Sequence, residues 1–154
     1  MTLQNLLAIR RLQAHTTDKA ALRKLLDAAR RNLDDARVAT ISADNRFDAA
    51  YKCVMQCAML GLWANGYRTS TSQPGHHQTA LQCLTLTMGV PTATVIVLDG
   101  LRKLRNLNDY EGDPVGDAAL AACIDEATRL LTHTRAWLLE QRPGLLDDEA
   151  KDRE

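Results

Sequence analysis

Thr94-Val95-Ile96-Val97-Leu98-Asp99-Gly100-Leu101-Arg102-Lys103-Leu104 decides what kind of fold this chain takes. The β-branched run at 94–97 would suit a strand, because Val, Ile and Thr pack well on a pleated surface. Two observations turn the reading the other way. The apolar positions continue through Leu98, Leu101 and Leu104 at helical intervals, and the sequence offers no partner strand elsewhere. The stretch therefore reads as a helix from Thr92, set off by Gly89-Val90-Pro91 and ended by Gly112-Asp113-Pro114.

Outward from it, the remaining segments repeat the helical period. Residues 2–14 read as a short helix with Leu3, Leu6 and Leu7 on one side. A second helix runs from about 19 to 38, after the capping oxygens of Thr16, Thr17 and Asp18. Its apolar stripe is Leu22, Leu25, Leu26, Ala29, Leu33 and Ala36, and its opposite face alternates in charge. Ser42 reads as the N-cap of a third helix, 43 to about 65, apolar on most sides and hence central. Residues 66–75 form the one long polar connection, with Pro74-Gly75 at its end. A helix from His76 to Thr87 follows, and a last one over 117–141 carries Leu120, Cys123, Ile124, Ala127, Leu130, Leu131, Thr134, Trp137 and Leu138 on its stripe.

The expected fold is thus all-α, an antiparallel bundle of five to six helices forming one domain over 1–146, with an acidic, disordered tail at 147–154. At 154 residues the chain can bury one core. Net charge is zero but divided: residues 1–77 carry 11 basic and 6 acidic side chains, residues 78–154 carry 8 and 13. A basic half suits a nucleic acid, and it equally suits helices with solvated arginines. Cys53 and Cys57 lie too far apart on a helix for an unstrained bridge, and small buried residues explain them better than zinc ligands. No metal and no cofactor is expected. No apolar run reaches the roughly 20 residues that span a bilayer, so we expect a cytoplasmic protein with reduced cysteines and no membrane partner.

Chemistry concentrates at the end of the Thr92 helix. Leu101 to Tyr110 sets Arg102, Lys103 and Arg105 beside Asn106, Asn108, Asp109 and Tyr110. A guanidinium fork, amides and a phenol near a helix end suit a phosphate or a ribose. The alternative is that Arg105 pairs with Asp109, about 40° away on the helix, as a structural anchor. Arg105 and Tyr110 stand about 140° apart, so they converge only where the helix ends or kinks between them. His76 and His77 either face this cleft as an acid or base, or bond at the helix start. Asp44, Arg46 and Asp48 either line its mouth or serve the start of their own helix.

Taken in order, these features resemble the HEPN superfamily of small helical, mostly dimeric proteins. The resemblance rests on Ser42-Ala-Asp-Asn-Arg-Phe-Asp-Ala-Ala-Tyr51 opening a long helix and Gly66-Tyr67 ending it. Gly75-His76-His77 after the polar loop and Leu101-Arg-Lys-Leu-Arg-Asn106 followed by Tyr110 complete it, over roughly residues 15–140. It implies a homodimer that binds RNA or a nucleotide between two copies of the Arg105–Tyr110 segment. It also implies a component of a toxin–antitoxin pair, with a cognate antitoxin or a nucleotidyltransferase as partner. The family's metal-independent ribonucleases carry an Arg, a polar residue and a His shortly after. Arg105 and Asn106 match the first two positions, but positions 110, 111 and 112 are Tyr, Glu and Gly. Counting from Arg102 puts Asn108 at the His place, and Tyr110 where some members carry a modified tyrosine. Arg105 and Tyr110 are then the catalytic candidates, although a phenol of ordinary pKa is a poor base at neutral pH. The alternative is a non-catalytic dimerisation or interaction module, antitoxin-like or accessory to DNA binding, whose polar cluster is structural.

Overall fold

In the computed structural model, residues 1–146 are described, and the tail expected from 147 onward lies outside them. The first helix, α1 (Leu3–Ala8), is closed at its start by a reciprocal bond between Thr2 and Asn5. It stops well short of residue 14, because Arg10 takes a left-handed backbone (φ 64°) that no helix continues through. The chain then extends as β1 (Leu12–Ala14), which pairs antiparallel with β2 (Tyr67–Thr69) in the register Leu12 with Thr69 and Ala14 with Tyr67.

This corrects two expectations, the single helix over 2–14 and the polar connection over 66–75, whose start is a strand. Three-residue strands are too short to show a period of two. What holds them is the fully buried Leu12 side chain, the side-chain bond from Arg68 Nε to Gln13 Oε1 (3.0 Å) and the flanking backbone bonds His15 to Gly66 and Ser70 to Arg11.

Helix α2 (Lys19–Ala36) starts where Asp18 accepts the Ala21 N–H at 2.8 Å, and it buries Leu22, Leu26, Ala29, Leu33 and Ala36. Helix α3 (Ala43–Ala64) starts under the Ser42 cap and is central as expected, with Phe47, Tyr51, Val54, Cys57, Ala58 and Leu60 among its buried residues. α2 and α3 run back to back. The bonds from Arg46 Nε to Ala36 O (2.8 Å) and from Asn32 Nδ2 to Gln56 Oε1 (2.8 Å) recede in opposite senses along the two helices. At its far end Asn65 Nδ2 donates to Gly61 O, and Gly66 turns the chain into β2 with φ 90°.

The helix expected over 76–87 is divided at Cys83 into α4 (His76–Gln82) and α5 (Leu84–Met88), and Gly89 closes α5 in a left-handed conformation. Helix α6 (Thr92–Glu111) confirms the helical reading of the β-branched run and is unbroken until Gly112. Helix α7 (Asp117–Gln141) packs along α3 through Leu120, Cys123, Ala127, Leu130, Thr134 and Leu138. After it, Arg142 Nε bonds the Ala64 carbonyl at 3.1 Å, fastening the C-terminal ends of α7 and α3 together. The result is an all-α bundle carrying, among the described residues, one small strand pair. Because Cys123 lies at Phe47 and Arg142 at Ala64, α7 runs parallel to α3, which corrects the expectation of a wholly antiparallel bundle.

All four cysteines are buried and unbridged, and burial pushes the Cys83 thiol up to about 11 and the Cys123 thiol up to about 12. Among the described residues no helix is long and apolar enough to cross a membrane.

Candidate functional site

Three helices bring polar side chains to one place. α3 contributes Asp48 and Tyr51, three residues apart and therefore on one face. α6 contributes Arg102 and Arg105 by the same spacing, and α4 contributes His76 and His77 from its first turn. The Tyr51 ring is buried, and its hydroxyl lies 3.2 Å from His77 Nδ1. The Arg105 guanidinium sits 4.8 Å from the centre of that same ring, a cation–π placement that also fixes the direction of the fork. Arg105 Nε donates to Asp48 Oδ1 at 3.3 Å and lies 3.9 Å from Asp109. Arg102 Nε donates to Asp99 at 2.7 Å, and Lys103 Nζ lies 3.5 Å from the same carboxylate. His76 meets His77 edge to face at 4.7 Å.

The electrostatics follow from this crowding. Burial raises the Tyr51 phenol to about 12, against the opposing pull of Arg105 and Arg102. Burial, then the neighbouring His76, Arg105 and Arg102, all lower the His77 pKa below its ordinary 6.5. Near neutral pH the pair is thus a neutral phenol against a neutral imidazole, with two guanidinium groups beside it. Asp99 is held below the usual carboxylate range chiefly by the Arg102 hydrogen bond.

Of the residues expected at the site, Arg102, Arg105, His76, His77, Asp48 and Asp109 come together. Tyr110 does not. Because α6 continues as a regular helix through Glu111, Tyr110 diverges from Arg105 and is 93% exposed. The ring that Arg105 meets is Tyr51 instead. Asn106 also points to solvent, whereas Asn108 is half-buried beside Arg105 in a small cleft of about 70 Å³ bounded by Gly112 and Val115. Asp44 and Arg46 do structural work nearby. Asp44 Oδ1 accepts the Val115 N–H at 2.7 Å, and Arg46 is spent on the Ala36 carbonyl.

Sequence reasoning missed Tyr51 and Asp99. Tyr51 belongs to the core with Phe47 and Val54, but its one polar atom is the part that matters. A signal was present, since it stands three residues after Asp48 on the same helical face. Asp99 likewise stands three and four residues before Arg102 and Lys103, the spacing of a helical ion pair.

Fold and site together define an all-α bundle protein with a guanidinium, phenol and imidazole cluster between α3, α4 and α6. No protein-family model, no curated protein and no solved structure matches the chain.

Proposed function

We propose that this chain is a HEPN-like homodimeric protein that binds RNA or a nucleotide at the Arg105 cleft, as a component of a toxin–antitoxin pair with weak or lost ribonuclease activity. The observation that carries this is the seating of Arg105. Its ring support from Tyr51 and its bond to Asp48 through Nε hold the guanidinium in place, and the terminal nitrogens remain the natural partners for a phosphate. A fork oriented in advance loses little entropy when it takes up an anion.

Weak or lost cleavage fits the same cluster. The phenol at about 12 moves no proton at neutral pH, and His77, the group near enough to neutrality to do so, already faces the Tyr51 hydroxyl through Nδ1. Tyr110, nearly fully exposed, is open to the modification by a partner nucleotidyltransferase that the resemblance implies.

The test is Arg105→Ala. On this reading the variant loses binding of a labelled RNA by at least about tenfold, the scale of a charge-assisted bond, while keeping its fold. A second reading, a non-catalytic interaction module, has its own support: Asp48 and Asp109 already balance Arg105, as they would in a structural network. It predicts a shift toward monomer in Arg105→Ala with RNA binding absent from both proteins.

A further inference from the structure

One line along α3 presents Asn45, Asp48, Ala49 and Lys52, spaced i, i+3, i+4 and i+7. From sequence only Asp48 of this line stands out, as a residue at the cleft mouth or at the start of its own helix. In the structure it forms one wall of an open groove of about 710 Å³, with Asn32 and Asp35 of α2 opposite, Ile41 at the loop end and Arg105 entering from α6. That volume falls within the range of small-molecule sites, roughly 300–1,000 Å³.

We propose that this groove holds one nucleoside monophosphate unit, its phosphate between Lys52 and Arg105 and its base against Ile41 and Asn45. The inference rests on the nucleotide reading above and adds where the rest of the nucleotide lies.

The chemistry along the groove is ordered to suit such a ligand. Lys52 and Arg105 supply two cations beside the carboxylates of Asp35 and Asp48; Arg105 is engaged with Asp48 through Nε, and Lys52 is exposed and makes no ion pair among the described residues. Asn45 stands seven residues earlier, about 10 Å along the helix axis, so the anion end and the amide end are separated. The Ser42 cap engages the Asn45 backbone N–H, and its exposed carboxamide remains to read a base edge, where a donor and an acceptor side by side are needed. Asn32 is less free, since its Nδ2 is committed to Gln56 at 2.8 Å. Ile41, 40% exposed, gives the base an apolar surface, and the Asp48 carboxylate can accept from a ribose hydroxyl.

The experiment compares wild type with Lys52→Ala and Asn45→Ala, both at exposed positions, with thermal melting to confirm the fold. Probes are the four nucleoside 5′-monophosphates, ribose 5-phosphate and a labelled single-stranded RNA. Lys52→Ala is expected to weaken every phosphate-bearing probe roughly tenfold. Asn45→Ala is expected to leave ribose 5-phosphate unchanged and to reorder the preference among the four bases. Monophosphates binding as well as RNA would identify a free nucleotide as the ligand, and binding of RNA alone would identify a unit of a strand; either supports the groove. If both variants bind like wild type while Arg105→Ala does not, the groove assignment is overturned and the Arg105 site stands. If wild type binds none of the probes, both fail.

Discussion

The Tyr51 hydroxyl and His77 Nδ1 face each other at 3.2 Å across the junction of α3 and α4, with the Arg105 guanidinium over the tyrosine ring. Three segments far apart in sequence are locked by one buried phenol. The contact links the central helix to the first turn of α4, and the direction of its hydrogen bond depends on the protonation state of His77.

A pH dependence follows from that link. The folded protein holds the His77 pKa below 6.5, first through burial and then through His76, Arg105 and Arg102. The unfolded chain therefore takes up the proton first as pH falls, and stability is lost on going down from about pH 6.5 toward the lowered value. Melting temperature should fall between pH 7 and 5.5 in wild type, and less steeply in His77→Asn. Parallel slopes in the two proteins would remove His77 from the account.

Asp44 and Val115 give a second, separable prediction. The carboxylate accepts the Val115 N–H at 2.7 Å and so ties the α6–α7 connection to the start of α3. Asp44→Ala should cost about 1–2 kcal/mol, from the lost charge-assisted bond and the lost acid in the first turn of α3. Hydrogen exchange at the Val115 amide should accelerate. Binding of RNA should change little, which separates this structural carboxylate from Asp48.

The contact of Gly61 with α5 yields a third. A Cβ at Gly61 would meet Thr87 Oγ1 at 2.8 Å and two Met88 atoms at 3.2 Å, both residues buried. The crowding should outweigh the helix propensity gained, so Gly61→Ala is expected to destabilise by about 1–3 kcal/mol. Thr87 Oγ1 is itself buried without a hydrogen-bond partner among the described residues. Thr87→Val, which keeps the shape and removes that oxygen, should raise the melting temperature. A fall in both variants would mean that this hydroxyl has a partner in solution.

What was legible in advance follows the range of the interactions involved. The stripes of α2, α3 and α7 could be read because each is a local period, and the run Thr94–Val97 because its spacing carries on through Leu104. The β1–β2 pair could not, since three residues show no period and the partners lie 55 residues apart at Gln13 and Arg68. The site was half visible. Arg102, Arg105 and Asp109 share one helix, so their pairing is a matter of spacing. Tyr51 and His77 meet only through tertiary packing, and Tyr110 was misplaced because nothing local bends α6 before Gly112.

The proposed homodimer makes the last prediction. On one side of α6, Ile96, Leu107 and Tyr110 are 68%, 51% and 93% exposed, and a Cβ added at Gly100 between them would meet nothing within 4 Å. Lys103 projects on the same side, but its charge is paired with Asp99 at 3.5 Å. A two-fold axis requires a surface complementary to itself. Antiparallel pairing of two α6 helices would satisfy this, with Leu107 of each copy entering the space at Gly100 of the other and Tyr110 lying along Ile96. Leu107→Glu should then give a monomer by light scattering after size exclusion, with an unchanged melting profile at low concentration, because the side chain is already half exposed within one copy. Wild type that is monomeric at the same concentrations, or a Leu107→Glu variant that stays dimeric, would count against this face. RNA binding by the monomeric variant then decides whether the Arg105 cleft needs both copies or only one.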